Sequence, residues 1–487
     1  MILAIDQGTT GTTCLVFDEG TQLVGRAYRE FAQHFPQPGW VEHDAEEIWE
    51  VSRGVAGEAL AAAGIEARDL RAIGITNQRE TVVCWDRRTG APLHRAIVWQ
   101  DRRTAARCEQ LRQEGYEPLV RARTGLVIDS YFSATKIEWM LEHVDGLRER
   151  DCCFGTIDAW LLFRLTGRAV TDFTNASRTL LFDINVLNWD AGLCELFGVS
   201  PEQLPELAGS AEPYGETLPD AFFGASVPVA GIAGDQQAAL FGQACTTPGL
   251  GKNTYGTGSF VLMNAGNEPP PVSPGLLTTV AWRLGDRTAY ALEASVFVTG
   301  AAVQWLRDGL GVIAAAEETE RMAAALGSND GVYFVPALTG LGSPHWDPYA
   351  RGTIVGITRG TGREHLARAA LEAIAYQTVD AVDAMEEASG KRLAELRADG
   401  GATANAWLMQ FQADVLGRPV VVPEIAETTA LGAAYLAGVG TGAWTIEQVS
   451  RLWREAARYE PRMREDERRS LLERWRKAVE RSRDWAR

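Results

Sequence analysis

The stretch Gly231-Ile-Ala-Gly-Asp-Gln-Gln-Ala-Ala-Leu-Phe-Gly-Gln243 lies near the middle of the 487-residue chain and predicts a strand followed by a helix. The apolar residues Val227-Pro-Val-Ala230 precede it and indicate a buried strand. After Asp235, Ala, Leu and Phe recur at helical spacing, so we expect a helix to begin there. A carboxylate at such a junction lies at the sheet edge where α/β proteins place their chemistry. Asp235 is therefore a candidate catalytic base, and a helix N-cap is the alternative role.

The composition limits the classes of function. A hydrophobic content of 46% and a charged content of 23% are ordinary for a globular protein, and the length suggests two or more domains. The formal net charge of -17 argues against nucleic acid as a partner, because phosphate binding needs a basic face. The chain has no run of about eighteen apolar residues, so no membrane span is expected. It starts without the basic region of a signal peptide. Its seven cysteines form no CxxC pair, which favours a reduced, cytoplasmic protein without structural zinc.

Two turns rich in Gly and Thr occur about half a chain apart. The first is Asp6-Gln-Gly-Thr-Thr-Gly-Thr-Thr13, and the second is Asn253-Thr-Tyr-Gly-Thr-Gly-Ser259. Each joins strand-like segments and offers N–H and hydroxyl groups that suit phosphate oxygens, although a plain Gly-rich hairpin is the alternative. Asp6, at the end of the first strand, could hold Mg²⁺ through water. The repetition suggests two similar domains that face each other, each with a phosphate-binding hairpin. Neither turn is a P-loop, since no G-x-x-x-x-G-K-[ST] occurs.

A group of polar and aromatic residues follows the strands of the first half. Arg79 and Glu80 belong to the segment Asn77-Gln-Arg-Glu80 at the end of the predicted strand Ala72-Ile-Gly-Ile-Thr76. Side by side, a guanidinium donor and a carboxylate acceptor can grip neighbouring hydroxyls, although such a pair in a turn is often simply solvated. Trp99 lies near the end of the predicted strand 96–101, and Tyr131 lies in a polar loop before a helix. Aromatic walls with a few polar groups are typical of a small-ligand pocket.

Further signals place helix boundaries. Asp44 and Glu47 have the spacing of a capping box, as do Thr445 and Gln448. His34 and His43 lack the spacing of helical metal ligands and are expected to be loop residues. Near the end of the chain, Leu471, Trp475 and Val479 recur at i, i+4 spacing, which predicts an amphipathic helix that docks on the body.

Several of these segments together resemble the FGGY carbohydrate kinase family, and within it the glycerol kinases. The hairpin Asp6-Gln-Gly-Thr-Thr10 resembles the first phosphate-binding element of actin-like ATPases and sugar kinases. The other matching segments are Ile75–Thr81, Ile97–Asp101, Thr174–Leu180, Gly234–Gln243, Lys252–Gly258 and Asp399–Ala402. The resemblance covers the chain from Met1 to about Trp444.

The resemblance implies an α/β fold of two ribonuclease-H-like (actin-like ATPase) domains that flank a catalytic cleft. The expected divisions are an N-terminal domain over 1–244, a C-terminal nucleotide-binding domain over 245–440 and a helical tail over 441–487. The implied reaction is ATP-dependent phosphorylation of glycerol to sn-glycerol 3-phosphate, the first step of glycerol catabolism, with Mg²⁺. The implied partners are glycerol and ATP/ADP, and a homo-oligomer, dimer or tetramer, is expected.

The resemblance also implies the roles of individual residues. Asp235 would be the general base, and Asp6 would lie near magnesium. The residues around glycerol would be Arg79, Glu80, Trp99, Tyr131, Asp235, Gln236 and Phe260. The residues that hold the nucleotide would be Thr9, Thr10, Gly11, Thr13, Thr257, Gly300, Gln304, Gly401 and Asn405.

The first turn departs from the family's pattern. The family often has Ser-Ser-Arg after the Thr pair, where this chain has Gly11-Thr12-Thr13. The arginine charge expected near the phosphates is therefore missing, and hydroxyl and backbone donors replace it only in part. Neutralisation of the phosphate charge is then expected to depend more on magnesium.

Two other functions stay open at this point. One is an FGGY kinase for a larger polyol or sugar, and the other is an actin-like ATP-binding protein without a small substrate. Arg79 and Glu80 beside Trp99 and Phe260 favour a small triol over a five- or six-carbon sugar. An actin-like protein would have no need of the Arg79–Glu80 pair.

A first prediction concerns control by anions. In some glycerol kinases the loop before the Gly-Asp-Gln-Gln strand has a Gly-Arg pair that helps to bind fructose 1,6-bisphosphate between subunits, and in others a histidine that becomes phosphorylated. Here the loop 219–228 has no Arg, Lys or His and includes Asp220, which would repel an anion. We expect initial rates that do not change with millimolar fructose 1,6-bisphosphate at low or high protein concentration. Clear inhibition would contradict this prediction.

Overall fold

Two large mixed β-sheets form the framework of the structure, a computed structural model that describes residues 1–487. The strands, in chain order, are β1 (Ile2–Gln7), β2 (Gly11–Phe17), β3 (Leu23–Glu30), β4 (Glu42–His43), β5 (Ala72–Asn77), β6 (Val82–Asp86), β7 (Ala96–Ile97), β8 (Cys152–Thr156), β9 (Val170–Asp172), β10 (Phe182–Asp183), β11 (Asn188–Trp189), β12 (Glu206–Ala208), β13 (Gly215–Glu216), β14 (Pro228–Gly234), β15 (Leu250–Tyr255), β16 (Ser259–Gly266), β17 (Leu277–Leu284), β18 (Arg287–Val296), β19 (Tyr333–Val335), β20 (Thr353–Val355), β21 (Glu395–Gly400), β22 (Val420–Pro423) and β23 (Glu455–Tyr459).

The α-helices surround these sheets. They are α1 (Ala45–Ala63), α2 (Ala105–Gln113), α3 (Glu117–Thr124), α4 (Ala134–His143), α5 (Ile157–Thr166), α6 (Phe173–Ala176), α7 (Ala191–Leu196), α8 (Asp235–Gly242), α9 (Gly300–Gln304), α10 (Glu318–Ala324), α11 (Arg363–Ser389), α12 (Ala406–Leu416), α13 (Thr428–Gly440), α14 (Ile446–Leu452) and α15 (Glu465–Ser482). No helix combines the length and the apolar character needed to cross a lipid bilayer.

The two large sheets repeat one strand arrangement. The first has the order β13-β14-β5-β1-β2-β3, and the second has the order β17-β18-β16-β15-β21-β22-β23. In the first, β1 is antiparallel to β2 and parallel to β5, which is parallel to β14. In the second, β15 is antiparallel to β16 and parallel to β21, which is parallel to β22. The two Gly/Thr turns therefore occupy equivalent places, which confirms the predicted repetition of one domain type.

Helix α13, from the second half of the chain, packs on the first sheet and against α8. At the crossing with α8, a Cβ added to Gly432 would lie 1.8 Å from the carbonyl oxygen of Ala238. A Cβ added to Gly242 would lie 1.9 Å from the carbonyl oxygen of Thr428. Only residues without a side chain allow the two backbones to approach this closely. The apolar core that results contains side chains from both halves, such as Leu240 and Leu436.

Several local expectations are wrong. His43 is not a loop residue, because it lies in β4 and is fully buried. Its Nε2 atom lies 2.7 Å from Oε1 of Gln33, and burial, followed by the nearby His34, lowers the pKa of His43 to about 4. The strand predicted over 96–101 is only the two-residue β7, because the chain turns at Trp99 and Gln100.

The predicted capping box before α1 forms only in part. The carboxylate of Asp44 accepts hydrogen bonds from the backbone N–H groups of Glu46 and Glu47 at 2.9 and 3.3 Å, as expected. The carboxylate of Glu47 does not return to Asp44 and instead accepts from the N–H of Ala32 at 3.0 Å. Glu47 therefore ties the start of α1 to the segment after β3.

The segment 441–487 is not helical throughout, which corrects the expected helical tail. Its first helix, α14, begins at the predicted capping box of Thr445 and Gln448. The chain then forms β23, which pairs with β22 at the edge of the second sheet. Helix α15 follows, and its buried residues Trp475 and Val479 dock it on the second domain as the i, i+4 spacing predicted. The tail thus completes both the sheet and the core.

The loop 219–228 contains no positively charged residue, but Arg53 of α1 lies close to it. The guanidinium carbon of Arg53 lies 5.8 Å from the centre of the Phe223 ring. Asp220 is exposed on the same loop. The expected insensitivity to a bisphosphate depends on the residues of the loop, and it stays a prediction.

A second prediction concerns the crossing of α8 and α13. We expect Gly432→Ala to lower the free energy of unfolding by about 2 kcal/mol, because the new methyl group must displace backbone. The thermal unfolding midpoint measures this. Gly327→Ala is the control, since a Cβ there meets nothing within 4 Å, and its effect should stay within about 0.5 kcal/mol. Equal midpoints for both variants would show that the crossing tolerates side chains.

Candidate active site

Asp235 lies at the predicted junction, as the first residue of α8 directly after β14. Its Oδ1 atom accepts a hydrogen bond from the N–H of Gln236 at 2.7 Å and lies 3.1 Å from Nε of Arg79. Its Oδ2 atom has no hydrogen-bond partner in the chain, and 33% of the side chain is exposed. The capping residue of α8 is Gly234, so the alternative role of Asp235 as an N-cap is wrong. The carboxylate is available for chemistry.

Arg79 and Glu80 occupy the turn between β5 and β6 and are almost fully buried. Their side chains are 2% and 1% exposed, so they are not a solvated charge pair. Glu80 has a φ of 62°, in the left-handed region that costs a non-glycine residue free energy. The hydroxyl of Ser133 donates to the carbonyl oxygen of Glu80 at 3.0 Å, which stabilises this conformation. The turn directs both charged groups into the space between the two sheets.

Two residues that the sequence analysis missed complete a cluster of buried charges. Glu293 accepts from Nη1 of Arg79 at 2.6 Å and from Nη2 of Arg79 at 3.2 Å. Arg178 donates from Nη2 to Glu293 at 3.0 Å and from Nε to Glu80 at 2.7 Å. Burial alone would raise the pKa of Glu293, but Arg178 and Arg79 outweigh it and hold that pKa at about 2. We call Arg79, Glu80, Arg178 and Glu293 the charge cluster.

A signal for one missed residue was present in the sequence. Glu293 is the single charged residue of the apolar run Ala289-Tyr-Ala-Leu-Glu-Ala294. A charge in a buried strand requires an opposite charge beside it. Arg178 lies in the segment Thr174–Leu180, one of those that resemble the family. Its partners could not be identified without the fold.

Aromatic side chains form a wall beside the cluster. The rings of Trp99 and Tyr131 meet edge to face, with their centres 5.5 Å apart. The hydroxyl of Tyr131 lies 3.5 Å from Nη2 of Arg79. The indole N–H of Trp99 donates to the hydroxyl of Thr9 at 2.9 Å. Thr9, expected at the nucleotide, is thus also bonded to the wall of the expected polyol site.

The second sheet and α8 supply the remaining residues expected at the polyol. Phe260 lies on β16 two positions before Leu262, which pairs with Glu293. Phe260 therefore shares a sheet face with Glu293. Gln236 follows Asp235 on α8, and the Nζ atom of the buried Lys252 donates to its side-chain oxygen. Gln236 is held in place by a residue of the other half of the chain.

Asp6 lies near the end of β1 and pairs with Thr13 of β2. Burial raises the pKa of Asp6 to about 7, and the charge of Asp235 adds to the shift. Burial also raises the pKa of Asp235, although Arg79 opposes the shift. Two neighbouring carboxylates with raised pKa values favour a cation near both. No group of three or more metal-binding side chains occurs. Mg²⁺ needs only one or two carboxylates, with water and phosphate oxygens as its other ligands, so these residues fit it.

A cavity of about 430 Å³ lies in the second half of the chain. Five of the residues expected at the nucleotide line it together: Thr257, Gly300, Gln304, Gly401 and Asn405. Its apolar lining includes Val303, Leu371, Ile374 and Leu408. The volume is within the range of small-molecule sites. The other four expected residues, Thr9, Thr10, Gly11 and Thr13, lie on the first hairpin and do not line this cavity.

Comparisons with known proteins extend over the whole chain. Residues 1–242 match the family model of the N-terminal domain of the FGGY family of carbohydrate kinases, and residues 251–441 match that of its C-terminal domain. The chain is 58% identical to the glycerol kinase of Trichlorobacter lovleyi, with 100% of this chain and 99% of the relative covered. It is 56% identical to that of Deinococcus radiodurans, with 99% and 98% covered. The structure of Plasmodium falciparum glycerol kinase with ADP superimposes with a TM-score of 0.94 at 37% identity, covering 99% of this chain and 98% of that one.

Proposed function

The chain belongs to the FGGY family of carbohydrate kinases, and we propose that it phosphorylates glycerol, with ATP as the donor and sn-glycerol 3-phosphate as the product. The observation that carries this proposal is the free Oδ2 atom of Asp235, which belongs to a side chain that is 33% exposed and lies beside the charge cluster. The relatives named glycerol kinases, 58% and 56% identical over almost the whole chain, support it.

Asp235 is placed to act as the general base. Its Oδ1 atom is held by the Gln236 N–H and by Arg79, which fixes the orientation of the carboxylate. Its Oδ2 atom is left to accept the proton of a substrate hydroxyl. As that proton moves to Asp235, the hydroxyl oxygen bonds to the γ-phosphorus of ATP, and the bond between this phosphorus and the bridging oxygen breaks to release ADP. Catalysis of this transfer rests mainly on positioning and charge stabilisation.

The polyol would lie against the charge cluster. The Glu80 carboxylate accepts hydrogen bonds from hydroxyl groups, and Arg79 donates them. Trp99, Tyr131 and Phe260 offer apolar surface to the carbon chain of the substrate. A site with two fully buried charged residues rejects a ligand that leaves them unpaired. Two adjacent hydroxyls meet this requirement, and the relatives named glycerol kinases lead us to assign glycerol rather than a larger sugar.

The nucleotide would bind in the cavity of the second half of the chain. Thr257, Gly300, Gln304, Gly401 and Asn405 are its polar and glycine lining, and the apolar lining suits the base and ribose. The phosphates would extend towards the first hairpin, with Thr10, Gly11 and Thr13. Asp6 would hold Mg²⁺, largely through water, with the Asp235 carboxylate nearby. When bound, this ion neutralises phosphate charge.

Three further expectations stay predictions. They are the assembly of dimers or tetramers, the cytoplasmic location and the division of the chain at about residues 244 and 440. Size-exclusion chromatography with light scattering would measure the first of them.

The experiment that tests the function is coupled ADP release by the purified protein over a panel of acceptors. The panel contains glycerol, erythritol, xylitol, D-xylulose and water alone. We expect glycerol to give the highest kcat/KM and water alone to give a small background. A preference for a five-carbon acceptor would identify a sugar kinase, and equal rates with and without acceptor would identify an ATPase.

A third prediction concerns the base. Asp235→Asn should lower kcat by roughly a hundred- to ten-thousand-fold, the usual range for a positioned base, while ADP binding is retained. Steady-state kinetics and calorimetric titration with ADP measure the two effects. Asp44→Asn is the matched control, since it makes the same change at the start of another helix, where Asn caps as well as Asp. Near-normal turnover of folded Asp235→Asn would remove this residue from the role.

A fourth prediction concerns the polyol site. Glu80→Gln keeps the shape of the side chain but removes the charge that Arg178 and the substrate hydroxyls share. We expect glycerol binding to weaken by about 1–3 kcal/mol, with little change in the KM for ATP. Titration of the rate with each substrate separates the two. An unchanged KM for glycerol would exclude Glu80 from the site.

A further inference from the structure

The Glu293 carboxylate reaches the charge cluster from the other half of the chain. It lies on β18 of the second sheet, whereas Arg79 and Glu80 follow β5 of the first sheet and Arg178 follows α6. Its contacts to Arg79 and Arg178 span 214 and 115 positions of sequence. The geometry of the polyol residues is therefore set in part by a group that belongs to the opposite domain.

Glu293 holds the Arg79 guanidinium at two points. One carboxylate oxygen accepts from Nη1 at 2.6 Å and the other accepts from Nη2 at 3.2 Å. A planar guanidinium that is bonded twice to one carboxylate has a fixed orientation. In that orientation, Nε lies 3.1 Å from Asp235 and 3.8 Å from Glu80. The side of Arg79 that faces the reacting groups is thus determined by Glu293.

Arg178 does the same for Glu80. Its Nε donates to Glu80 at 2.7 Å, and its Nη2 donates to Glu293 at 3.0 Å. The side chain is fully buried, and its guanidinium carbon lies 5.3 Å from the centre of the Phe132 ring and 5.8 Å from that of Tyr131. Arg178 is therefore packed behind the polyol residues, and it acts on the substrate through Glu80.

The strands that carry Glu293 are bonded firmly to the first half of the chain. The hydroxyl of Thr279 on β17 accepts from the Gln237 side chain at 2.9 Å and lies 2.8 Å from the hydroxyl of Ser177. The hydroxyl of Tyr290 on β18 donates to the carbonyl of Ile184 at 2.8 Å. These bonds, all to buried groups, hold β17 and β18 in register with the cluster. Glu293 is therefore placed as rigidly as the residues that it orients.

We propose that Glu293 and Arg178 are positioning residues for polyol recognition, Glu293 through Arg79 and Arg178 through Glu80. The inference rests on the proposed function, since it concerns the same substrate. It assigns part of the specificity for a small polyol to two residues that do not touch the substrate. It also makes the contact between the two sheets a condition for a complete polyol site.

The test begins with Glu293→Gln, which keeps the shape and removes the charge. We expect the KM for glycerol to rise about ten- to hundred-fold, because Arg79 loses its fixed orientation. The KM for ATP and the affinity for ADP should change less than about twofold, since the nucleotide cavity does not include Glu293. The matched control is Glu372→Gln. Glu372 is a buried glutamate of the same half that accepts from Nε of Arg368 at 2.7 Å and lies outside both sites. It should lose stability with both KM values kept.

A charge-balanced double variant separates positioning from mere stability. Arg178→Gln combined with Glu293→Gln removes one charge of each sign and leaves Arg79 opposite Glu80. The thermal midpoint should recover towards that of the unmodified protein, because no charge is left unpaired. The KM for glycerol should stay raised, because neither Arg79 nor Glu80 is oriented. Recovery of the KM together with the midpoint would overturn the proposal.

If Glu293→Gln does not fold, Glu293→Asp is measured in its place. It keeps the charge but shortens the side chain by one methylene group, so we expect a folded protein with a raised KM for glycerol. An unchanged KM in Glu293→Asp and in the double variant would overturn the proposal. If the unmodified protein releases no ADP with glycerol, the proposed function fails instead, and the two failures are therefore distinct.

Discussion

The relative placement of the two large sheets depends on two guanidinium groups and two carboxylates that are buried together between them. All four side chains are at most 2% exposed. An unpaired charge at such a depth would cost several kcal/mol, and pairing offsets that cost only when the geometry is good. Each carboxylate of the charge cluster here contacts both arginines. The turn after β5, the segment after α6 and β18 must therefore converge, and their convergence fixes how the two halves meet.

The second half of the chain therefore contributes both to the charge cluster and to the cavity. Its β17 and β18 are bonded to the first half of the chain and contribute Glu293 to the charge cluster. The residues that line the cavity of about 430 Å³ lie between Tyr255 and Leu408 of the same half. The family models divide the chain between residues 242 and 251, but the charge cluster contains residues from both sides of that division.

The sequence predicts those parts of the molecule that depend on neighbours in the chain. The hairpin of β1 and β2, the junction at Asp235 and the repeated Gly/Thr turn follow from local periodicity and turn residues. The errors arise where tertiary contacts decide the local structure. His43 lies in β4, Glu47 bonds the N–H of Ala32 rather than that of Asp44, and residues 455–459 add a strand to the second sheet.

The charge cluster shows the same limit at the site. Arg79 and Glu80 are recognisable because they are adjacent and belong to a motif. Their strongest partners are 214 and 98 positions away, respectively, and no local pattern identifies those contacts. A lone glutamate in an apolar strand indicates that some cation must face it, but only the fold shows that Arg79 and Arg178 are the cations that face Glu293.

The charges around Asp235 also bear on the arginine that the first turn lacks. Five carboxylates meet three cations there: Asp6, Glu80, Asp235, Glu293 and Asp399 against Arg79, Arg178 and Lys252. Both arginines are engaged by carboxylates. Burial lowers the pKa of Lys252 to about 8, although Asp399 and Asp235 oppose the shift. A region with this balance has no spare positive charge for a polyphosphate. Burial, with a further contribution from the charge of Asp235, raises the pKa of Asp6 to about 7. A divalent cation near Asp6 and Asp235, as proposed above, would supply positive charge for the phosphates and would favour the ionised form of Asp6. Without the arginine, neutralisation of the phosphates would depend on this ion and on the N–H groups of the two turns.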